Sequence, residues 1–234
     1  MADRRRPSRI PDEIRRADAG ITGLSAVNGH FTGVQFKKKV LFISSTRPKW
    51  SKEFDDAHTM NHDVRIHVCS LAALEGTVAE TGARHVVTVI NPWSVPDTPP
   101  TVAPDDHLKL AFNDIVDTVP GLVAPDGEHI DRLLAFVARW DCAGPLVVHC
   151  LAGISRSTAA AYITLCALNH SVNENTIAEQ LRSASPFATP NMLMVQLADK
   201  ILARQGRMVE AIRAIGQGQP ALSGKTFSIC PVLT

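Results

Sequence analysis

From about residue 65 the chain alternates short β-branched runs with helix-length segments, and this alternation is the strongest constraint on its fold. "RIHVCS" (65–70), "ARHVVTVI" (83–90) and "GPLVVHC" (144–150) are brief, apolar and rich in Val and Ile, as strands buried on both faces are. "HLKLAF" (107–112) alternates and reads as a further strand. "LAALEGTVAETG" (71–82) reads as a helix that Ser70 caps and Gly82 ends. In "PDGEHIDRLLAFVARW" (125–140), Ile130, Leu133, Leu134, Phe136, Val137 and Trp140 recur at helical spacing. Four more helices follow the last strand: 156–169, 173–184, 190–205 with Pro190 near its start, and 207–216. Strands alternating with helices, then a run of helices, predict an α/β domain with a central, mostly parallel sheet flanked by helices.

The regular pattern divides the 234 residues into an extension (1–64), a core domain (65–218) and a tail (219–234) expected to be loose. The extension is arginine-rich at its start and interrupted by Pro7, Pro11 and several glycines. It offers only "VLFIS" (40–44) as a short strand before the polar stretch 46–63. A net charge of +1 gives no general reason to expect nucleic acid or an anionic membrane. No apolar stretch reaches the roughly 18 residues of a spanning helix. The five cysteines are odd in number, scattered and without a CxxC pair. That argues against a disulfide framework or zinc cluster and for a reducing cytoplasm. His58 and His62 stand four apart but lack further ligands, so no metal and no cofactor are expected.

The chemistry concentrates in "LVVHCLAGISRSTAA" (146–160). A strand ends at Cys150, a helix begins near Arg156, and Gly153 eases the sharp turn between them. Amide groups of such a loop point inward at a helix N-terminus, which makes an anion site. The same field favours the thiolate of Cys150, the nucleophilic form. Arg156 adds a planar fork able to hold two phosphate oxygens.

"HCLAGISRS" (149–157) resembles the HCxxGxxR[S/T] signature of the cysteine-dependent protein tyrosine phosphatase superfamily, nearest to its dual-specificity subclass and bacterial relatives. The resemblance spans roughly residues 65–205, and Pro190 and Asn191 match a recurrent Pro-Asn pair that follows the signature helix. It implies a phosphotyrosine phosphatase-like fold and assigns roles by position. Cys150 is the nucleophile that forms a phosphocysteine, and Arg156 the phosphate-binding arginine. Ser157 is the hydroxyl that stabilises the leaving thiolate, and His149 the organiser of the loop. Leu151, Ala152, Gly153, Ile154 and Ser155 are the phosphate loop, acting mainly through backbone amides.

A proton must reach the departing oxygen. Relatives place the acid just after a strand upstream of the cysteine, which selects Asp114 in "LKLAFNDIVD" over Asp117 and over Asp97 in "WSVPD". Asn191 is read either as a helix cap or as a support for the loop. The loop lacks lysine, which disfavours phosphoinositides, and no tyrosine precedes Tyr162, which leaves a shallower pocket. The expected partner is a phosphorylated substrate, a protein, hydrolysed at tyrosine, serine or threonine without metal. The rival readings are a phosphate-binding adaptor, an enzyme acting on a phosphoinositide, and a redox-sensing thiol with Cys69 or Cys142 as resolving partner.

Overall fold

A computed structural model gives the architecture of residues 64–233. The strand expected at 40–44, the polar stretch 46–63, and His58 and His62 lie outside the described residues. Five strands form one sheet in the order β3-β2-β4-β1-β5. These are β1 (Ile66–Ser70), β2 (His85–Ile90), β3 (His107–Ala111), β4 (Leu146–Cys150) and β5 (Phe227–Ile229). The first four run parallel, with Ile66 opposite Leu146, His85 opposite Leu146 and Val86 opposite His107. All their carboxyl ends therefore lie along one edge of the sheet, where open α/β sheets place their sites.

The period-two alternation of the strands divides the core. Val68, Val87 and Val148 face one layer, built from α2 (Gly127–Arg139), α3 (Arg156–Leu168), α4 (Glu174–Ala184), α5 (Met192–Ile201) and α6 (Arg207–Ile215). Cys69, Val86 and Val147 face the other, beneath α1 (Leu74–Thr81). Every residue of α3 from Arg156 to Ala167 is buried. That explains its lack of a polar stripe: it is the hub against which β4, α4 and α5 pack.

Four details depart from the sequence reading. Residues 71–73 form a 3₁₀ turn before α1, and the Ser70 side chain makes no cap bond; Gly82 ends the helix in the left-handed region, φ 66°. α2 begins with a capping box whose second partner is a histidine, Asp126 accepting from the His129 amide at 3.0 Å and His129 Nδ1 from the Asp126 amide at 3.3 Å. α5 is shorter than the apolar period suggested. Asp199, near its end, turns both carboxylate oxygens to the amides of Gly206 and Met208, so its side chain starts α6. The tail is not loose. β5 pairs antiparallel with β1, Ile229 opposite Ile66, and Asn169 bonds the Pro231 carbonyl and the Leu233 amide.

One ionic cluster is buried behind the hub helix. Glu174 accepts from Arg204 Nη1 at 3.0 Å and from Arg207 Nε at 3.1 Å, while Arg204 Nη2 donates to the Cys166 carbonyl at 2.6 Å. Burial pushes the Glu174 carboxyl up, but the hydrogen bond from Arg207 and the two arginine charges prevail and hold it below its ordinary value. Glu174→Ala strands Arg204, which is 7% exposed, without its counter-ion. Urea unfolding of that variant should show a loss of about 3–5 kcal/mol.

Candidate active site

The turn after β4 is held from outside by its carbonyl groups. The Leu71 amide donates to Leu151 O (3.2 Å), Gly224 to Ala152 O (2.8 Å), Thr189 to Ile154 O (2.9 Å) and Asn191 to Ser155 O (3.3 Å). The Thr158 hydroxyl adds bonds to Ile154 O and Ser155 O. With these oxygens engaged from behind, the peptide planes turn their N–H groups to the other side. The amides of Ala152, Ile154 and Ser155 find no acceptor among the described residues. They adjoin the N-terminus of α3, whose positive dipole end joins them in a cradle for a tetrahedral anion.

Gly153 sits at φ 72°, where other residues are strained. A Cβ there would also stand 2.8 Å from Cys69 C and Ser70 N, so the loop can seat against the end of β1 only with glycine. The Gly153 amide donates to Cys150 Sγ at 3.2 Å, and Ser157 Oγ lies 3.1 Å from the same sulfur. Cys150 is 2% exposed at the floor of a cleft of about 500 Å³.

Arg156 is fixed by groups that the sequence reading missed. Nη1 donates at 2.7 Å both to Asn91 Oδ1, just past β2, and to the Phe112 carbonyl, just past β3. Its Nε is buried and makes no hydrogen bond, with Asp114 Oδ2 3.7 Å away. An orphan buried donor at the cleft suits an incoming phosphate oxygen. Asn91 directly follows β2, whose neighbour β4 ends in Cys150, and that strand order, which the sequence does not give, is what brings it to the site.

Asp114 stands at the cleft as expected. Its Oδ1 accepts from Ser155 Oγ and from Asn191 Nδ2, each at 2.8 Å. Ser155, at the N-cap of α3, thus gives its hydroxyl to Asp114 and caps nothing. Asn191 does both things weighed for it: Oδ1 caps α5 through the Met194 amide, and Nδ2 holds Asp114 and the Ile115 carbonyl. Asn113 closes the loop that carries Asp114, its side chain and amide both bonded to Val123. Asp117 is exposed and lines an adjoining groove without reaching the Cys150 cleft. Asp97 lines neither.

His149 belongs to a relay that strand spacing does not reveal. Its Nε2 is 2.6 Å from Thr88 Oγ1, which is 2.7 Å from His107 Nε2; His107 Nδ1 is 3.0 Å from Thr98 Oγ1. One hydroxyl between two ring nitrogens donates to one and accepts from the other, so the two tautomers are coupled. Burial pulls both imidazoles down from 6.5 to about 4, against which the Cys150 backbone is the one favourable influence on protonated His149. Both rings are neutral at pH 7. The visible clue was two polar side chains, Thr88 and His107, within otherwise apolar strands.

Burial pushes Cys69 up to about 11 and Cys142 to about 12. Cys142 also precedes β4 while Cys150 ends it, a separation of about 13 Å along the strand. Tyr162 is wholly buried beneath α4 and α6, so no tyrosine walls the cleft. Among the described residues no cluster of three metal-ligating side chains occurs.

Residues 120–202 match the protein-tyrosine phosphatase family. No curated protein matches the chain. Among solved structures, human DUSP28 is 22% identical, covering 64% of this chain and 94% of its own at a TM-score of 0.47. PTPMT1 in complex with PI(5)P is 16% identical, with 63% and 97% covered and a TM-score of 0.45. Cydia pomonella PTP-2 is also 16% identical, with 58% and 84% covered and a TM-score of 0.45.

The two histidines make stability depend on pH. Each binds a proton less readily folded than unfolded, so protonation favours unfolding once pH drops below 6.5, and the loss is complete below about 4. Chemical denaturation at pH 7.5 and at pH 4.5 should show a drop of up to roughly 3 kcal/mol per histidine. A His107→Phe variant should show a shallower slope.

Proposed function

We propose that this chain, whose residues 120–202 match the protein-tyrosine phosphatase family, hydrolyses phosphate monoesters through a phosphocysteine, without metal. Cys150 Sγ attacks phosphorus in line as the bond to the leaving oxygen breaks. Arg156 Nε and the loop amides hold the equatorial oxygens, where charge is greatest. Asp114, as the acid, delivers its proton to the departing oxygen. Water then attacks the phosphocysteine and gives its proton to the Asp114 carboxylate. The sulfur leaves as thiolate beside Ser157 Oγ and the Gly153 amide, and inorganic phosphate is released.

The observation that supports this reading most is the convergence of four groups on one cleft: Cys150, the inward amides and the orphan Nε of Arg156 from the segment 150–156, and Asp114 from the loop after β3. No aromatic side chain is among the described residues that line the cleft, so phosphoserine and phosphothreonine can enter as well as phosphotyrosine. Phosphoproteins are therefore the proposed substrates. A reducing compartment, the cytoplasm, suits the thiolate chemistry. No helix among the described residues is long and apolar enough to cross a membrane.

Phosphate release from p-nitrophenyl phosphate in EDTA tests the proposal. Cys150→Ser should release none while still binding orthovanadate or a phosphate ester. Asp114→Asn should cut kcat by about a hundredfold or more and flatten the pH profile. Full turnover in Cys150→Ser would reject the mechanism, and a larger loss in Asp117→Asn than in Asp114→Asn would reassign the acid.

A further inference from the structure

The segment after α6 returns to the catalytic loop. The Gly218 amide donates to Thr189 Oγ1 at 3.1 Å and the Gln219 amide to Pro186 O at 2.8 Å. At the other end, the Gly224 amide donates to Ala152 O at 2.8 Å, and Ser223 Oγ reaches the same oxygen at 3.3 Å. Both glycines mark close approaches. A Cβ at Gly218 would lie 2.5 Å from the Phe187 backbone, and one at Gly224 would lie 2.8 Å from Gly153 O. Residues 219–223 are therefore a short strap pinned at both ends, one end bonded to the phosphate loop itself.

The strap supplies Ala221 and Leu222 to the cleft that holds Cys150. Leu222 is fully exposed, and Leu151 and Leu122, on the same cleft, are 50% and 38% exposed. Scattered exposed leucines need no explanation, but three converging on one catalytic mouth do. Among the described residues lining the cleft, Arg156 is the one cation and Asp114 the one acid. Both are engaged in the reaction, so nothing there neutralises a second phosphate or an acidic neighbour. An adjoining groove of about 670 Å³ shares Asp114, Ile115 and Ser155 with the cleft and continues over Val116, Val119, Met192 and Ile212, with Asp117 and Arg213 adding one charge of each sign along it. Apolar surface thus extends from the reacting centre both toward the strap and past Asp114.

Building on the phosphatase reading, we propose that the 219–223 strap is a wall for substrate recognition. Leu222, with Leu151 and Leu122, grips apolar side chains next to a phosphorylated residue in a peptide. A peptide continues in both directions from its phosphate, as the two surfaces do, whereas the chains of a phospholipid leave in one. The preferred substrates are phosphopeptides with uncharged, apolar flanks, and acidic or doubly phosphorylated sequences are disfavoured.

The test uses the full chain with synthetic phosphotyrosine peptides identical except for Leu, Glu or Lys beside the phosphorylated residue, and with vesicles containing a phosphatidylinositol monophosphate. The parent should favour the Leu peptide over the Glu peptide roughly tenfold in kcat/KM. Leu222→Asp should shift the Lys-to-Glu preference up by about three- to fivefold, and Leu222→Lys should shift it the opposite way. These ratios within one variant do not depend on the fraction of enzyme that folds. Turnover with unchanged ratios would overturn the wall while leaving the phosphatase reading intact. Preference for the vesicles over every peptide would overturn the peptide assignment. Absence of turnover on all probes, p-nitrophenyl phosphate included, would remove the phosphatase reading beneath it.

Discussion

Everything at the site depends on how the carbonyl groups of residues 151–155 are held. A tight turn can present either its oxygens or its amides to a cavity. Here the amides of Leu71, Gly224, Thr189 and Asn191 take the oxygens of Leu151, Ala152, Ile154 and Ser155 from behind. The donors come from three segments far apart in the chain, so a correctly built domain is needed to make the cradle. The inward amides are then preorganised: no energy is spent reorienting them when charge arrives. Gly153 is the geometric condition for this, since any side chain at that position would push the loop off the end of β1.

Asp114 and the turn after β4 are coupled through one hydrogen-bond centre. Asn191 accepts at Oδ1 from α5, donates at Nδ2 to Asp114 and Ile115, and donates its amide to Ser155. The Ser155 hydroxyl completes the link to Asp114. Displacing the acid loop therefore disturbs the phosphate cradle. On the opposite side, His149, Thr88 and His107 tie the residue before the nucleophile to β2 and β3. Because burial keeps both rings neutral, this relay orders the loop by directional hydrogen bonds and adds no positive charge.

Local pattern determined much of this protein. The short β-branched runs and the apolar helices followed from period and composition, because burial on both faces of a parallel sheet leaves few alternatives. "HCLAGISRS" pointed to the thiol, the arginine and the turn that line one cleft because strand, glycine and helix N-terminus are local features, and Asp114, just past a strand, stands at the same cleft. What tertiary structure alone decided are the partners. Asn91 and the Phe112 carbonyl on Arg156, Asn191 on Asp114, and Thr88 between two histidines are joined by strand order and register, which no local pattern encodes. The tail is the clearest case. Residues 219–233 lack a helical apolar period and are broken by Pro220, Gly224 and Pro231, so locally they read as loose. They are ordered because β1 offers an open edge and the phosphate loop an unpaired carbonyl, and both exist only once the sheet has formed.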